Sequence, residues 1–348
     1  MSNRAKNILY SLLLIGAIWA VMKYRENKSR TPVRSEGSSM GTTWHVTAFD
    51  PLQRNHQQAL DSLLLLVNKS ISTWDSTSEI SRFSRSEKGI RFELPYFLPP
   101  LRTSEAVYQA SSGAYDPTVM PLVNAWGFGP EKITSPDTAR IRETMMFIGF
   151  HKIRITPDSL IKSDSRVQLD FSAIGQGYGA DVLTAWLKSK GVTDMLVELG
   201  GEGMAVGINR ETGKPWELGL VDPRDPNRFI GYIHLKDRSF STSGNYFNYR
   251  EVNGVRYSHT INPATGFPAE RPIMSATVFA ADCATADAWA TAFMTMGHEK
   301  AIEVLAAHPE LDACLIWSVR GSSGKADGIG KYLTKGAEAL ITFEETNP

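Results

Sequence analysis

Short strand-like runs follow one another along this chain with only occasional helical patterns between them, and this order limits the possible folds. Apolar spacing and helix-end signals predict helices at residues 59–71, 104–110, 178–190, 283–296 and 298–307. Strands are predicted at residues 44–49, 153–155, 167–171, 195–199, 216–221, 229–235, 238–242 and 274–280. Strands in series favour an α+β fold, with mixed, largely antiparallel sheets flanked by helices, over a doubly wound parallel sheet. No interior domain boundary is evident, so residues 40–348 are predicted to form one domain.

The N-terminal segment differs in composition from the rest of the chain. Arg4 and Lys6 precede a largely apolar run at residues 8–22, which is short for a spanning helix and typical of a signal-peptide core. Ile18 and Trp19 place bulky side chains where a signal peptidase requires small ones, which favours an uncleaved signal anchor over a cleaved signal peptide at residues 1–22. The polar residues 23–39 are predicted to be a tether.

The charge balance and the cysteine count exclude some classes of site. The 37 basic and 37 acidic residues argue against a nucleic-acid partner, which would require a basic face. A local anion site remains compatible with this balance, because backbone N–H groups and a metal ion can hold phosphates. With only Cys283 and Cys314, neither a zinc site nor a disulfide scaffold is predicted, while one disulfide or two buried thiols both remain open.

Residues 170–181 (DFSAIGQGYGAD) lie at a predicted strand-to-helix junction and contain three glycines at alternate positions. Such glycines let a ligand approach the backbone, and the helix N-terminus offers unpaired N–H groups to an anion. The spacing matches neither a Walker loop nor a dinucleotide fingerprint. A glycine turn that allows tight helix packing is the alternative interpretation.

Residues 282–292 (DCATADAWATA) place an acid and a hydroxyl on one face of a predicted helix, because Asp287 and Thr291 are four residues apart. These hard oxygen ligands suit Mg²⁺, which keeps open positions for phosphate oxygens. The alternative is an acid that interacts with the helix dipole and a threonine that bonds back to its own helix.

Two further segments carry groups that could act on a ligand. His259 precedes an ordered Asn-Pro turn, where it could accept a proton from an attacking hydroxyl, although a lone histidine is more often structural. Residues 241–246 (STSGNY) could supply hydroxyl and backbone donors. Tyr115, in an Asp-Pro turn, and Trp74 could flank a flat heterocycle, or could simply pack in the core.

Taken together and in this order, the segments resemble the family of FAD:protein FMN transferases, the ApbE-like flavin transferases. The resemblance covers most of the chain after the predicted tether. It is carried by residues 40–44 (MGTTW), 72–83 (STWDSTSEISRF), 113–119 (GAYDPTV), 170–181, 199–201 (LGG), 242–246 (TSGNY), 257–268 (YSHTINPATGFP) and 282–292.

The resemblance implies an ApbE-like fold with FAD as ligand and FMN donor, and with Mg²⁺ at the FAD diphosphate. It implies Mg²⁺ ligation by the side chains of Asp287 and Thr291 and by the backbone carbonyl of Ala173, and it makes His259 the catalytic residue. Family members often carry lysine at the position of Gln176, which can still donate hydrogen bonds but lacks the positive charge. The residues implied to contact FAD are Met40, Trp74, Ala114, Tyr115, Asp116, Asp170, Gln176 and Ile261.

The implied reaction attaches FMN to a Thr or Ser hydroxyl of an acceptor protein and releases AMP. Family acceptors resemble subunits of membrane redox complexes, which places the catalytic domain on the periplasmic, extracytoplasmic side of the inner (cytoplasmic) membrane. Two alternatives stay open: a Mg²⁺-dependent FAD pyrophosphatase that uses water as acceptor, and a membrane-tethered flavin-binding or delivery protein.

Overall fold

The computed structural model describes Lys6 and residues 10–19, 30–131, 136–245, 249–252, 255–258, 260–269, 273–320 and 326–344. Residues 10–19 form a helix whose large apolar side chains are exposed. No helix in this described part of the chain has the length and apolar character needed to span a lipid bilayer.

The domain after this helix combines strands and helices along its whole length. In chain order the strands are β1 (Val33–Ser39), β2 (Thr42–Ala48), β3 (Gly89–Arg91), β4 (Ile153–Ile155), β5 (Ser159–Lys162), β6 (Met195–Leu199), β7 (Glu202–Val206), β8 (Trp216–Asp222), β9 (Asp225–Leu235), β10 (Arg238–Gly244), β11 (Tyr249–Val252), β12 (Val255–Ser258), β13 (Ile273–Phe279), β14 (Asp312–Arg320), β15 (Ala326–Leu333) and β16 (Ile341–Phe343). The helices are α1 (Gln57–Ile71), α2 (Glu79–Arg85), α3 (Leu98–Ala110), α4 (Met120–Trp126), α5 (Thr138–Thr144), α6 (Gly175–Ser189), α7 (Cys283–Met296), α8 (His298–Ala307) and α9 (Lys335–Leu340), with 3₁₀ turns at Met145–Phe147 and Phe150–Lys152.

An eight-stranded antiparallel sheet forms the centre of the domain, in the order β1-β2-β6-β7-β10-β13-β14-β15. β10 joins its two halves, because residues 238–240 pair with β7 and residues 241–244 pair with β13. Smaller antiparallel sheets have the orders β16-β9-β8 and β3-β5-β4, and β11 pairs with β12. This architecture confirms the predicted α+β class.

α6 and α7 pack against each other and against the large sheet. Most side chains of α7 are buried, as expected for a helix that is apolar on nearly all sides. α1 packs against α6 and buries Leu60 and Leu64 in the apolar cluster that includes Leu183 and Leu187. The helices α6 and α7 therefore lie at the centre of the fold, between the sheet and the outer helices.

The helices predicted at residues 283–296 and 298–307 are confirmed by α7 and α8. The helix predicted at residues 104–110 is longer, because α3 begins at Leu98 with proline in its first turn, where no N–H is required. The tether predicted through residue 39 is wrong at its C-terminal end, since β1 pairs with β2 from Val33 to Ser39. β1 is an edge strand rich in polar residues, which is why its sequence resembles a linker.

The strand predicted at residues 167–171 is also wrong. Gln168 makes only an isolated bridge to Val119. Val167, Leu169 and Phe171 are nevertheless buried at alternate positions. The alternation of apolar and polar residues at 167–171 therefore reflects the packing of an extended segment that does not belong to a sheet.

Candidate active site

A cavity of about 400 Å³ opens between the β1–β2 turn, the end of α1 and the start of α6. Met40 lies at this tight turn with a φ of 53°, in the left-handed region favoured in two-residue hairpin turns. Met40, Trp74 and Gln176, three of the residues that the resemblance implies for FAD binding, lie around this one cavity. Its lining residues are Met40, Gly41, Asn68, Ile71, Ser72, Thr73, Trp74, Ser172, Gly175 and Gln176.

Trp74 and Gln176 offer different kinds of contact to a ligand in this cavity. Trp74 is 70% exposed, so a face of its ring is open to stacking by a flat aromatic group. The Nε2 atom of Gln176 lies 3.5 Å from the carbonyl oxygen of Met40, a long hydrogen bond. The amide of Gln176 is therefore weakly held and can turn to another acceptor.

The first turn of α6 directly contacts α7. A Cβ atom at Gly177 would lie 2.9 Å from Cβ of Asp287 and would overlap the carbonyl oxygen of Cys283. The N–H of Gly177 donates a hydrogen bond to Oδ2 of Asp287 at 3.1 Å. Gly177 therefore permits the close packing of α6 against α7, as the alternative interpretation holds. The close contact of the two helices also provides Asp287 with a backbone hydrogen-bond donor.

Asp287 and Thr291 lie on the side of α7 that faces β10. The side chain of Ser241 on β10 makes a hydrogen bond that lowers the pKa of Asp287, and Oγ of Ser243 lies 3.5 Å from Oγ1 of Thr291. Four helical residues rise about 6 Å, and two strand residues rise about 6.6 Å. Because these two repeats nearly match, alternate hydroxyl residues of the strand stay in step with the two predicted metal ligands.

The carboxyl groups in this region are buried. Burial, opposed by the Gly177 N–H and reinforced by the nearby Asp181, raises the pKa of Asp287 to about 7. Burial also raises the pKa of Glu202 on β7 well above its usual value, with Asp287 adding to the effect. Within the described part of the chain, the charged groups acting on these two carboxyls are themselves acidic, an arrangement that favours a bound cation.

Asp181 and Glu202 are not among the residues singled out from sequence. Asp181 on α6 accepts hydrogen bonds from the N–H groups of Cys283 and Ala284, at 2.8 and 2.9 Å. It therefore caps the N-terminus of α7 from the neighbouring helix. Glu202 could have been identified from the sequence, because it is an acidic residue at the start of the otherwise apolar β7.

The turn at residues 114–116 contacts α7, because Oγ1 of Thr295 lies 2.6 Å from the carbonyl oxygen of Ala114 and 2.7 Å from that of Ala292 in its own helix, and its proton is shared between them. Tyr115 is 3% exposed and its hydroxyl lies 2.9 Å from Oγ of Ser104. The Tyr115 ring is thus packed as the alternative interpretation holds, and its contact with FAD stays a prediction. Burial raises the pKa of the neighbouring Asp116 to about 6.

The remaining predicted residues lie in three different settings. The half-buried Asp170 donates its N–H to the carbonyl oxygen of Pro117 at 2.7 Å, and burial raises the pKa of its carboxyl group. Ala173 lies half-buried in the turn before α6. Ile261 is buried in a separate apolar cluster formed mainly by α4, α5 and their flanking residues. His259 lies outside the described residues.

The residues present fit the implied Mg²⁺. Among the described residues no three His, Cys, Asp or Glu side chains converge to hold a metal ion. Mg²⁺ does not require such a cluster, since it is commonly bound by one or two carboxylates with water and phosphate oxygens at the other positions. The buried carboxyl of Asp287 meets this condition, and Oε2 of Glu202 has no hydrogen-bond partner in the described structure.

Comparisons with known proteins identify the family of this chain. The family model described as "ApbE family" matches residues 40–315. The chain is 35% identical to the FAD:protein FMN transferase of Vibrio cholerae serotype O1 over 291 residues, which cover 81% of this chain and 86% of that protein. The Haemophilus influenzae FAD:protein FMN transferase is 32% identical over 335 residues, which cover 92% of this chain and 93% of its own.

Solved structures show the same relationship. The flavin transferase ApbE from Vibrio cholerae superposes with a TM-score of 0.79 at 32% identity, over 89% of this chain and 99% of that chain. The apo form of the Pseudomonas stutzeri flavinyl transferase ApbE gives a TM-score of 0.77 at 29% identity, over 89% and 96%. The resemblance noted from sequence is thereby confirmed, and this chain belongs to the ApbE family.

Proposed function

We propose that this chain is a Mg²⁺-dependent transferase that moves FMN from FAD onto a Thr or Ser hydroxyl of an acceptor protein and releases AMP. Its relatives are named FAD:protein FMN transferases, which supports the flavin-transfer part of the proposal. The observation that carries the proposal is the arrangement of Asp287 and Thr291 on α7. Asp287 stands beside the N-terminal turn of α6, and the positive end of this helix favours phosphate.

Mg²⁺ would be held by the side chains of Asp287 and Thr291 and by the backbone carbonyl of Ala173. When bound there, Mg²⁺ would neutralise the diphosphate and polarise the phosphorus of the FMN half. In the first turn of α6, Gly175 and Gly177 already donate their N–H groups to Phe171 and Asp287, so the N–H of Gln176 would hold a phosphate oxygen. Gln176 would add a neutral amide donor, which binds phosphate less strongly than the lysine that the family often carries.

The cavity beside the β1–β2 turn would hold part of FAD. Trp74 would stack on a ring of the nucleotide, and Met40 would line the same cavity. This assigns recognition of the flat rings to the cavity and recognition of the diphosphate to the α6–α7 junction. Tyr115 would support the 114–116 turn, whose residues the resemblance implies to contact FAD.

The transfer itself is an in-line displacement at the phosphorus of the FMN half. The acceptor hydroxyl oxygen attacks this phosphorus, a new P–O bond forms, and the bond to the AMP phosphate breaks. His259 would accept the proton of the attacking hydroxyl, a role that we base on its sequence context. Water in place of the hydroxyl would give FMN and AMP instead.

We also propose that residues 1–22 anchor the chain in the inner membrane, with the catalytic domain on the periplasmic side. The exposed apolar side chains of residues 10–19 support attachment to a lipid surface. The acceptor would then be a subunit of a membrane redox complex with a Thr or Ser exposed on that side. Separation of membrane and soluble fractions, with protease access from the periplasm, tests this placement.

The transfer reaction is tested by incubating the full chain with FAD, Mg²⁺ and a candidate redox subunit. We expect flavin fluorescence to stay with the acceptor in a denaturing gel, together with the mass gain of an FMN group. The matched control is the same acceptor with its Thr or Ser replaced by alanine. AMP and free FMN without a labelled acceptor would indicate the pyrophosphatase, and FAD binding without AMP release would indicate a delivery protein.

A further inference from the structure

Glu202 occupies an unfavourable position for a carboxyl group. It begins β7 directly after the Gly200–Gly201 turn, and its side chain is only 5% exposed. Its Oε1 atom accepts a hydrogen bond from Oγ of Ser241 at 3.4 Å, while Oε2 has no hydrogen-bond partner among the described residues. A buried, unpaired carboxyl oxygen destabilises a fold, so a function at this position is worth seeking.

The charges near Glu202 are negative. Asp287 and Glu198 both act on it electrostatically. Glu198 is satisfied separately, since it lies 3.0 Å from Nδ1 of His45 and accepts the N–H of Gly201 at 2.7 Å. The uncompensated pair is therefore Glu202 and Asp287, and a cation would balance both charges.

Ser241 connects this pair. Its hydroxyl donates to Glu202, and its side chain also makes a hydrogen bond that acts on Asp287. A hydroxyl has a single proton, so it can donate to only one of the two carboxyls at a time. When a cation binds Asp287, the hydroxyl of Ser241 can donate its hydrogen bond to Glu202 alone.

We propose that Glu202 is a positioning residue for the divalent cation of the transfer reaction. Its carboxylate, through its negative charge and through Ser241, strengthens cation binding at Asp287 and Thr291 without being a ligand itself. This inference rests on the proposed function, because it assumes the metal site on α7. It adds a residue from β7 to a site otherwise built from α6, α7 and β10.

The test is cation binding by Glu202→Gln, which keeps the size of the side chain and removes the charge. Mn²⁺ is titrated into the full chain in the presence of ADP, a diphosphate with no flavin to transfer, and free Mn²⁺ is followed by electron paramagnetic resonance. We expect at least tenfold weaker Mn²⁺ binding, equivalent to about 1.4 kcal/mol. The unfolding midpoint in EDTA should not fall, because the substitution removes a buried carboxyl group that has an unpaired oxygen.

The matched control is Glu217→Gln, an acid on β8 whose side chain is 61% exposed, and it should bind Mn²⁺ as the wild type does. Mn²⁺ binding by Glu202→Gln within twofold of the wild type overturns the inference, whether or not the unfolding midpoint changes. If Glu202→Gln does not fold, Glu202→Met removes the same charge with a side chain that needs no hydrogen-bond partner.

Asp287→Ala separates this inference from the proposed function. Loss of Mn²⁺ binding in Asp287→Ala with unchanged binding in Glu202→Gln would refute only the role of Glu202. Wild-type Mn²⁺ binding in Asp287→Ala would refute the metal site itself and the inference with it.

Discussion

Replacing Trp74 with alanine tests whether the cavity beside the β1–β2 turn holds the flavin nucleotide. Because Trp74 is 70% exposed, removing its ring opens no hole in the core, and the free energy of unfolding should change by less than about 1 kcal/mol. Stacking of a base on an aromatic side chain contributes about 1–3 kcal/mol. The dissociation constant of FAD should therefore rise roughly 5- to 150-fold.

The assay is calorimetric titration of FAD in EDTA, which prevents Mg²⁺-dependent turnover, with urea denaturation of the same samples. Phe229→Ala is the matched control, since this exposed aromatic lies on β9, in a different sheet, and its loss should leave FAD affinity unchanged. Tyr115→Phe should also bind FAD normally, because it loses only the buried contact with Ser104. Unchanged FAD affinity in Trp74→Ala would refute the assignment of this cavity to FAD.

Three further predictions concern the metal ligands, the proposed base and the core. Asp287→Ala should abolish Mg²⁺-dependent transfer and Thr291→Ala should be milder, since water can replace a neutral hydroxyl; a wild-type transfer rate in Asp287→Ala at limiting Mg²⁺ would contradict the ligand assignment. His259→Ala should bind FAD normally and transfer FMN about 10²–10⁴ times more slowly, so normal flavinylation would exclude it as the base. Lys162→Met should lower the free energy of unfolding by about 1–3 kcal/mol in urea titration, because the three N–H groups of the Lys162 ammonium serve four backbone carbonyls that lie within 3.3 Å of Nζ; an unchanged urea midpoint would show that these carbonyls need no such donor.

Elements with local end signals could be predicted closely from the sequence. Asp282 caps α7 by accepting the N–H of Thr285, and Gly297 ends α7 and begins α8. Both signals lie within one turn of the helix ends, so no distant contact was needed. β1 has no such signal, because its polar residues form a strand only through pairing with β2.

The same distinction applies to the candidate site. The four-residue spacing of Asp287 and Thr291 places them on one helical face regardless of the rest of the fold. Glu202 gains its importance only where β7, β10 and α7 meet, which the spacing of residues along the chain does not encode. Tyr115 shows a second limit of the sequence, since an aromatic residue in a turn has the same sequence signature whether it contacts a ligand or packs against Ser104 in the core.

The regular spacing along α7 limits how the length of this protein can change. Asp287, Thr291 and Thr295 follow at four-residue intervals, and the last of them holds the carbonyl oxygen of Ala114. A helix turns by about 100° per residue, so one residue inserted between Asp287 and Thr295 would direct these side chains to different faces. The sequences of natural relatives should therefore contain insertions and deletions next to Gly297. They should contain none between Asp287 and Thr295, even where every functional side chain is retained.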